Sequence, residues 1–375
     1  RAQADLARVP WKLATRSWAI AAPRGIIAGV RLRGRTRLVL VPGRRATGRR
    51  PRVLDDSWAR IEAIAADGTT VAAVATHPSR PTAILRLDLL SEECEVIREV
   101  PVPRLEATFV PEPRMLRFPG ADGEPTFAWL HPPANPDWEG PAEDRPPLLV
   151  RVHGGPTGAA RLDYDLELRF WTSRGWAVCD IDHGGSAGYG RAYRRRLEGR
   201  WGEMDVADCV AVVRHLAEER LIDPARTAIT GGSAGGYTTL MALATTDAFA
   251  AGASRFGIAD LERFRETTHR FESRYLDRLI GPWPADRETF RHRSPIHRLD
   301  GFTRPLAVFQ GLEDRVVPPE QSDMIVAALE ARDVPVAYER FEGEQHGFRS
   351  QAALQRTLVV MDRFLREHLG IRRPE

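Results

Sequence analysis

Two pentapeptides in this sequence have the form Gly-x-Ser-x-Gly, namely Gly184-Gly-Ser186-Ala-Gly188 and Gly231-Gly-Ser233-Ala-Gly235. The form suits a nucleophilic serine. A hydroxyl is weakly nucleophilic, so it must stand proud on a tight strand-to-helix turn where a base can reach it, and only small neighbours permit that turn. The five letters do not choose between the two serines, but their surroundings do. Ser233 follows the run Thr227-Ala-Ile-Thr230 and precedes the apolar stretch Leu240-Met-Ala-Leu-Ala244, a strand and then a helix able to pack beneath a sheet. Ser186 leads into Gly188-Tyr-Gly190 and the cluster Arg191, Arg194, Arg195 and Arg196, which reads as a loop and a surface helix. Ser233 is the expected nucleophile and Ser186 a loop residue.

Such a serine needs a base, and the base a carboxylate, in the chain order Ser, Asp or Glu, His. Gly311-Leu-Glu-Asp314 comes directly after an apolar strand at 305–310, and His346 lies in Phe341-Glu-Gly-Glu-Gln-His346-Gly-Phe348, past another strand and before the last helix. Asp314 and His346 are the expected partners, with Glu313 as the rival carboxylate. An imidazole so placed takes the serine proton and returns it to the leaving group, while the carboxylate fixes its tautomer. The strand Leu148-Leu-Val-Arg-Val152 runs into His153-Gly154-Gly155-Pro156. Glycines there let the main chain aim N–H groups at a developing oxyanion. The backbone N–H groups of Ala234 and Gly155 are the expected donors, with Gly154 as the substitute. His153 is expected to brace this loop rather than to move protons.

The elements that must position these groups change character near residue 110. From about 111 to 375, strands at 127–130, 148–152, 176–180, 227–230, 305–310 and 334–341 alternate with helices at 206–219, 237–244, 319–331 and 351–368. That pattern implies an α/β domain with a mostly parallel sheet and helices on both faces. Residues 1–110 instead carry short alternating segments punctuated by Gly and Pro. Ser17-Trp18-Ala19 followed by Gly25 is echoed by Ser57-Trp58-Ala59 followed by Gly68, a spacing of about 40 residues that is typical of β-propeller blades. About two blades fit in this stretch, and a closed propeller needs at least about four. The missing blades would then lie upstream of Arg1, and the chain would be a fragment; chance similarity within a small β-domain is the other reading.

Composition narrows the setting. With 43% hydrophobic and 28% charged residues over 375, the chain reads as globular, and no apolar run approaches the roughly 20 residues that span a bilayer. The net charge of +3 rests on arginines scattered among 51 acidic residues, and no nucleic-acid motif accompanies the basic runs. Cys94, Cys179 and Cys209 are odd in number and widely spaced, which argues against a disulfide framework or zinc site and points to a reducing, cytoplasmic compartment.

Taken together, His153-Gly-Gly-Pro156, Gly185-Ser-Ala-Gly-Tyr-Gly190, Trp201-Gly202 with Asp205 and Asp208, Gly231-Gly-Ser-Ala-Gly-Gly236, Gly311-Leu-Glu-Asp314 with Val317-Pro318, and His346-Gly347-Phe348 resemble the prolyl oligopeptidase family of serine peptidases, in its acylaminoacyl-peptidase and aminopeptidase-like branch. The resemblance implies an α/β-hydrolase domain at 111–375 preceded by an all-β partial β-propeller at 1–110. It implies cleavage of short peptides near their N-terminus through an acyl-enzyme on Ser233, with no metal or organic cofactor. It also marks 254–275 as the region lining the substrate pocket, with Phe256 and Phe271 as apolar walls. Relatives often place Arg or Asn two residues after the catalytic Asp, where this chain has Val316. A homo-oligomer is compatible with the sequence; nucleic acid and membrane are not expected partners. Two alternatives remain open at this level: an esterase or amide hydrolase of small acyl substrates on the same machinery, and a non-catalytic binding scaffold.

Overall fold

The computed structural model describes residues 5, 16–22, 24–43, 50–141, 143–268, 272 and 274–371. Its first strands are β1 (Trp18–Ala21), β2 (Gly25–Leu32), β3 (Arg35–Pro42) and β4 (Arg52–Asp55), joined in order as an antiparallel sheet. A second sheet follows from β5 (Arg60–Asp67), β6 (Thr70–His77), β7 (Arg80–Asp88) and β8 (Cys94–Glu99) in the same order. The sequence echo falls on equivalent strands: Trp18 opens β1 and Trp58 precedes β5, while Gly25 opens β2 and Gly68 turns into β6. Alternate residues of the two sheets, among them Ala21, Ile27, Leu38, Trp58, Ile64, Val71 and Leu85, pack into one core between them.

The rest of the chain winds around one eight-stranded sheet. Its strands are β9 (Arg114–Pro119), β10 (Pro125–His131), β11 (Leu148–Val152), β12 (Ala177–Asp182), β13 (Thr227–Gly232), β14 (Ala251–Arg255), β15 (Leu306–Gly311) and β16 (Val336–Phe341). The spatial order is β16-β15-β14-β13-β11-β12-β10-β9, parallel from β12 to β16 and antiparallel at the β9–β10 end. The helices are α1 (Leu166–Thr172), α2 (Arg191–Arg195), α3 (Met204–Glu218), α4 (Ala234–Thr245), α5 (Leu261–Thr267), α6 (Tyr275–Leu279), α7 (Arg287–His292), α8 (Pro319–Glu330) and α9 (Gln351–His368).

Strand alternation divides the core into two layers. Leu148, Val150 and Val152 of β11 face one side, with α3, α4 and α8, whereas Leu149 faces α1 and α9 on the other. Both faces are covered, so the central strands read as nearly unbroken apolar runs, as buried parallel strands do. This is the α/β-hydrolase arrangement that the family resemblance implied. It sets the C-terminal ends of β11, β13, β14 and β15 along one edge.

The sequence reading missed β9, β14 and the short helices α1 and α5–α7. Ser186 lies in the expected loop ahead of a short helix, but it is fully buried there. The arginines behind it are engaged: Arg194 pairs with Asp5, and Arg196 folds inward onto Asp122 and over the Tyr193 ring.

Candidate active site

Ser233 sits between β13 and α4 at φ +58°, ψ −122°, a conformation that costs a non-glycine residue about 1–3 kcal/mol. The surroundings hold it there. Its N–H donates to Arg255 O at 3.0 Å, and the Tyr237 N–H donates to its carbonyl at 2.9 Å. The flanking glycines are required by close approach rather than by dihedral angle. A Cβ on Gly231 would fall 2.5 Å from the Gly235 carbonyl carbon, and one on Gly235 would fall 2.1 Å from Val152 O. The turn is thus pressed against the end of β11, where the His153-Gly-Gly loop begins.

Asp314 lies in the loop after β15, with its side chain fully buried, and Oδ2 is 2.7 Å from His346 Nδ1. Its Oδ1 accepts from the Val316 and Val317 N–H groups at 2.8 and 2.9 Å, which fixes the carboxylate plane. Glu313, the rival, is exposed. The His346 loop is tied down separately: Glu344 accepts from the Arg349 and Ser350 N–H groups, and the Glu313 N–H donates to Glu344 O. His346 itself remains part-exposed.

Phe256 links the two halves. Its ring centroid is 4.7 Å from that of His346 and 5.4 Å from that of Phe348, and a Cβ on Gly232 would come within 2.9 Å of it. The ring therefore lies against both the serine turn and the histidine, as an apolar wall would. Phe271, the second expected wall, lies outside the described residues. Four residues further on, Tyr275 reaches back to the glycine loop, with its hydroxyl 2.7 Å from Thr157 Oγ1.

The two expected oxyanion donors have the required freedom. Among the described residues, neither the Gly155 N–H nor the Ala234 N–H has a hydrogen-bond acceptor. Gly154 adjoins Ser233, since a Cβ there would stand 3.6 Å from Ser233 Cβ. His153 does not face the serine. Its Nδ1 is 3.1 Å from Gly154 O, its Nε2 is 2.7 Å from Ser186 Oγ, and its ring stacks on His183 at 4.7 Å. Burial, and then the neighbouring His183, lower its pKa to about 3, so the ring is neutral at physiological pH.

Sequence reasoning missed the charged chamber beside the elbow. A cavity of about 450 Å³ is bounded by Gly154 and Gly232 on one side and by Arg151, Asp165, Glu167 and Arg255 on the other. Arg151 bridges Asp165 at 2.8 Å and Asp180 at 2.6 Å, and Arg255 pairs with Glu167. Burial alone would raise the Asp180 carboxyl, but Arg151, together with His131, holds it well below the usual carboxylate range. The available signal was a charged residue inside an otherwise apolar strand, as Arg151 is in β11 and Asp180 in β12. A larger cavity, about 1060 Å³, lies near α3 and α7 and contains none of these residues. Among the described residues, no three His, Cys, Asp or Glu side chains come together to hold a metal ion. No described helix is long and apolar enough to cross a membrane.

Residues 162–372 match the family described as Prolyl oligopeptidase family. The chain is 30% identical over 276 residues to dipeptidyl aminopeptidase BIII of Pseudoxanthomonas mexicana, an alignment covering 72% of this chain and 40% of that protein. It superposes with a TM-score of 0.93 on a puromycin-hydrolyzing peptidase of Mycobacterium tuberculosis at 39% identity, covering 99% of this chain and 57% of that one. Pyrococcus horikoshii acylaminoacyl peptidase is similar at a TM-score of 0.77 and 25% identity, with 91% and 54% covered. The chain thus spans little more than half the length of these solved structures, and less of the curated relative.

Proposed function

The chain belongs to the prolyl oligopeptidase family, and on that premise we propose that it carries the catalytic centre of a serine peptidase that removes residues from the N-terminal end of short peptides. In this reading Ser233 attacks the scissile carbonyl, His346 takes its proton and passes it to the leaving amine, and Asp314 holds the imidazole with its proton on Nδ1. The N–H groups of Gly155 and Ala234 receive the oxyanion. Water then attacks the acyl-enzyme with His346 again as base, which restores Ser233. The observation that carries the reading is a strained Ser233 at the same sheet edge as the hydrogen bond between the buried Asp314 and the part-exposed His346.

The proposed division is a partial propeller at 1–110 and a catalytic domain at 111–375. The outer face of the first sheet supports it. Trp18 pairs with Ala28, Ile20 with Ile26, Ile26 with Val41 and Val39 with Val53, giving an apolar face on which Trp18 and Ile20 are exposed. Propeller blades present such faces to their neighbours. A reducing, cytoplasmic setting is supported by Cys94, Cys179 and Cys209, all unpaired. The reading takes short peptides as partners and requires neither nucleic acid nor membrane.

The substrate class is tested by turnover of aminoacyl amides (puromycin among them), acylated and free-amino peptides, and short-chain nitrophenyl esters. Hydrolysis of an amide or peptide that is lost in Ser233→Ala supports the proposal. Turnover of esters alone, with every amide and peptide ignored, would replace it with an esterase.

A further inference from the structure

The second Gly-x-Ser-x-Gly pentapeptide has no role in the chemistry above, yet it places Ser186 on a histidine next to the oxyanion loop. Ser186 is fully buried. Its N–H donates to His183 O at 2.9 Å, and the next N–H, that of Ala187, donates to Gly158 O at 2.7 Å. The Gly158 N–H in turn donates to Gly155 O at 2.8 Å, closing the glycine loop as a turn. Ser186 is therefore fixed to the loop it faces before its side chain is considered.

The side-chain hydrogen bonds can be directed by elimination. Gly154 O, 3.1 Å from His153 Nδ1, can only accept, so the ring proton is on Nδ1. A neutral imidazole then has a bare Nε2, and the Ser186 hydroxyl, 2.7 Å away, must donate to it. The chain of donors runs from Ser186 Oγ–H to His153 Nε2, and from His153 Nδ1–H to Gly154 O.

Gly154 O belongs to the same peptide unit as the Gly155 N–H. In a planar trans peptide these two groups point in opposite directions, so holding one aims the other. The unit lies between two glycines, Gly155 at φ +63°, and nothing in their own sterics resists its rotation. The orientation of the Gly155 N–H therefore needs an external hold, and the described hydrogen bond on Gly154 O is the one from His153.

We propose that Ser186 is a positioning residue for the oxyanion hole: by donating to His153 it fixes the imidazole tautomer that holds Gly154 O and so keeps the Gly155 N–H turned toward the Ser233 side. The inference rests on the serine-hydrolase reading of Ser233. It assigns Ser186 no covalent role; its hydroxyl is engaged by His153, whose other ring nitrogen is bonded to Gly154 O rather than to a carboxylate.

The test compares wild type, Ser186→Ala, Ser186→Cys, His153→Asn and the double variant His153→Asn/Ser186→Ala, with kcat, KM and the rate of fluorophosphonate labelling read for each. The Asn amide can supply the donor to Gly154 O without needing an acceptor-side partner. Ser186→Ala is expected to lower kcat about 10- to 100-fold with little change in KM, short of the 10²–10³ that outright loss of an oxyanion donor costs. Labelling should slow in parallel. Ser186→Cys, of similar size and with a weak S–H donor, should fall between Ala and wild type. In the His153→Asn background, Ser186→Ala should have no further effect. Equal kcat for wild type, Cys and Ala variants overturns the proposal. So does an Ser186→Ala effect that carries over in full to the His153→Asn background, since that would mark a packing role independent of His153. If wild type itself takes no label on Ser233, it is the hydrolase reading that fails instead.

Discussion

Asp314 holds His346 with one oxygen, at 2.7 Å, and is itself held by the Val316 and Val317 N–H groups through the other. The carboxylate is therefore locked before substrate arrives, and it dictates which imidazole nitrogen carries the proton. Asp314→Asn keeps the shape and the backbone contacts. Its amide then turns a donor toward Nδ1 and forces the proton onto Nε2, where it faces the nucleophile. kcat should drop by about 10⁴, as such a swap does in serine proteases, with the melting temperature nearly unchanged. Steady-state kinetics beside a thermal melt check both halves.

The elbow glycines are a packing requirement. Gly235→Ala would put a methyl group 2.1 Å from Val152 O, a backbone atom that cannot swing aside. The expected cost is about 1–3 kcal/mol or more, read by denaturant unfolding, together with loss of activity as β11 and the glycine loop are displaced.

The Arg151 bridge makes a different prediction. Arg151→Met removes one cation from Asp165 and Asp180 and leaves Asp180 buried beside His131. Breaking one partner of a buried pair costs about 3–5 kcal/mol, whereas replacing Arg151 and Asp180 together by apolar residues should recover much of it. A double-mutant cycle in urea measures the difference.

Acid should destabilise the folded state through His153. The His153 pKa is about 3 folded and 6.5 in the unfolded chain, so between those values the unfolded state binds the extra proton. His153 thus favours the folded state fully above about pH 6.5 and progressively less as pH falls toward 3. Unfolding free energy measured at pH 7 and pH 5 should fall more in wild type than in His153→Asn.

Much of this site was legible because its chemistry demands particular residue types at strand ends. Ser233, Asp314 and His346 each follow a strand, and the repeated pentapeptide was decided by what flanks it. What was not legible has physical causes. Strand β14 is Ala251-Gly-Ala-Ser-Arg255, made of small residues because α4 presses on it, and so it lacks the β-branched signature of a strand. The helices α5–α7 are too short to show a long amphipathic period, and α5 is held by its Asp260 cap on the Glu262 N–H. Ser186 looked peripheral because four arginines follow closely, and only the fold shows Arg196 turned inward onto Asp122. The salt-bridged chamber was hidden because Arg151, Asp165, Asp180, Glu167 and Arg255 meet only when β11, β12, β14 and α1 converge.

The Ser233 assignment is tested most directly by labelling the protein with a fluorophosphonate and mapping the adduct after tryptic digestion. Ser233 falls in the peptide 227–255 and Ser186 in the peptide 175–191, so the two candidates separate cleanly. The account predicts one adduct, on Ser233, abolished in Ser233→Ala and retained in Ser186→Ala at a slower rate. An adduct on Ser186, or undiminished labelling of Ser233→Ala, would contradict it.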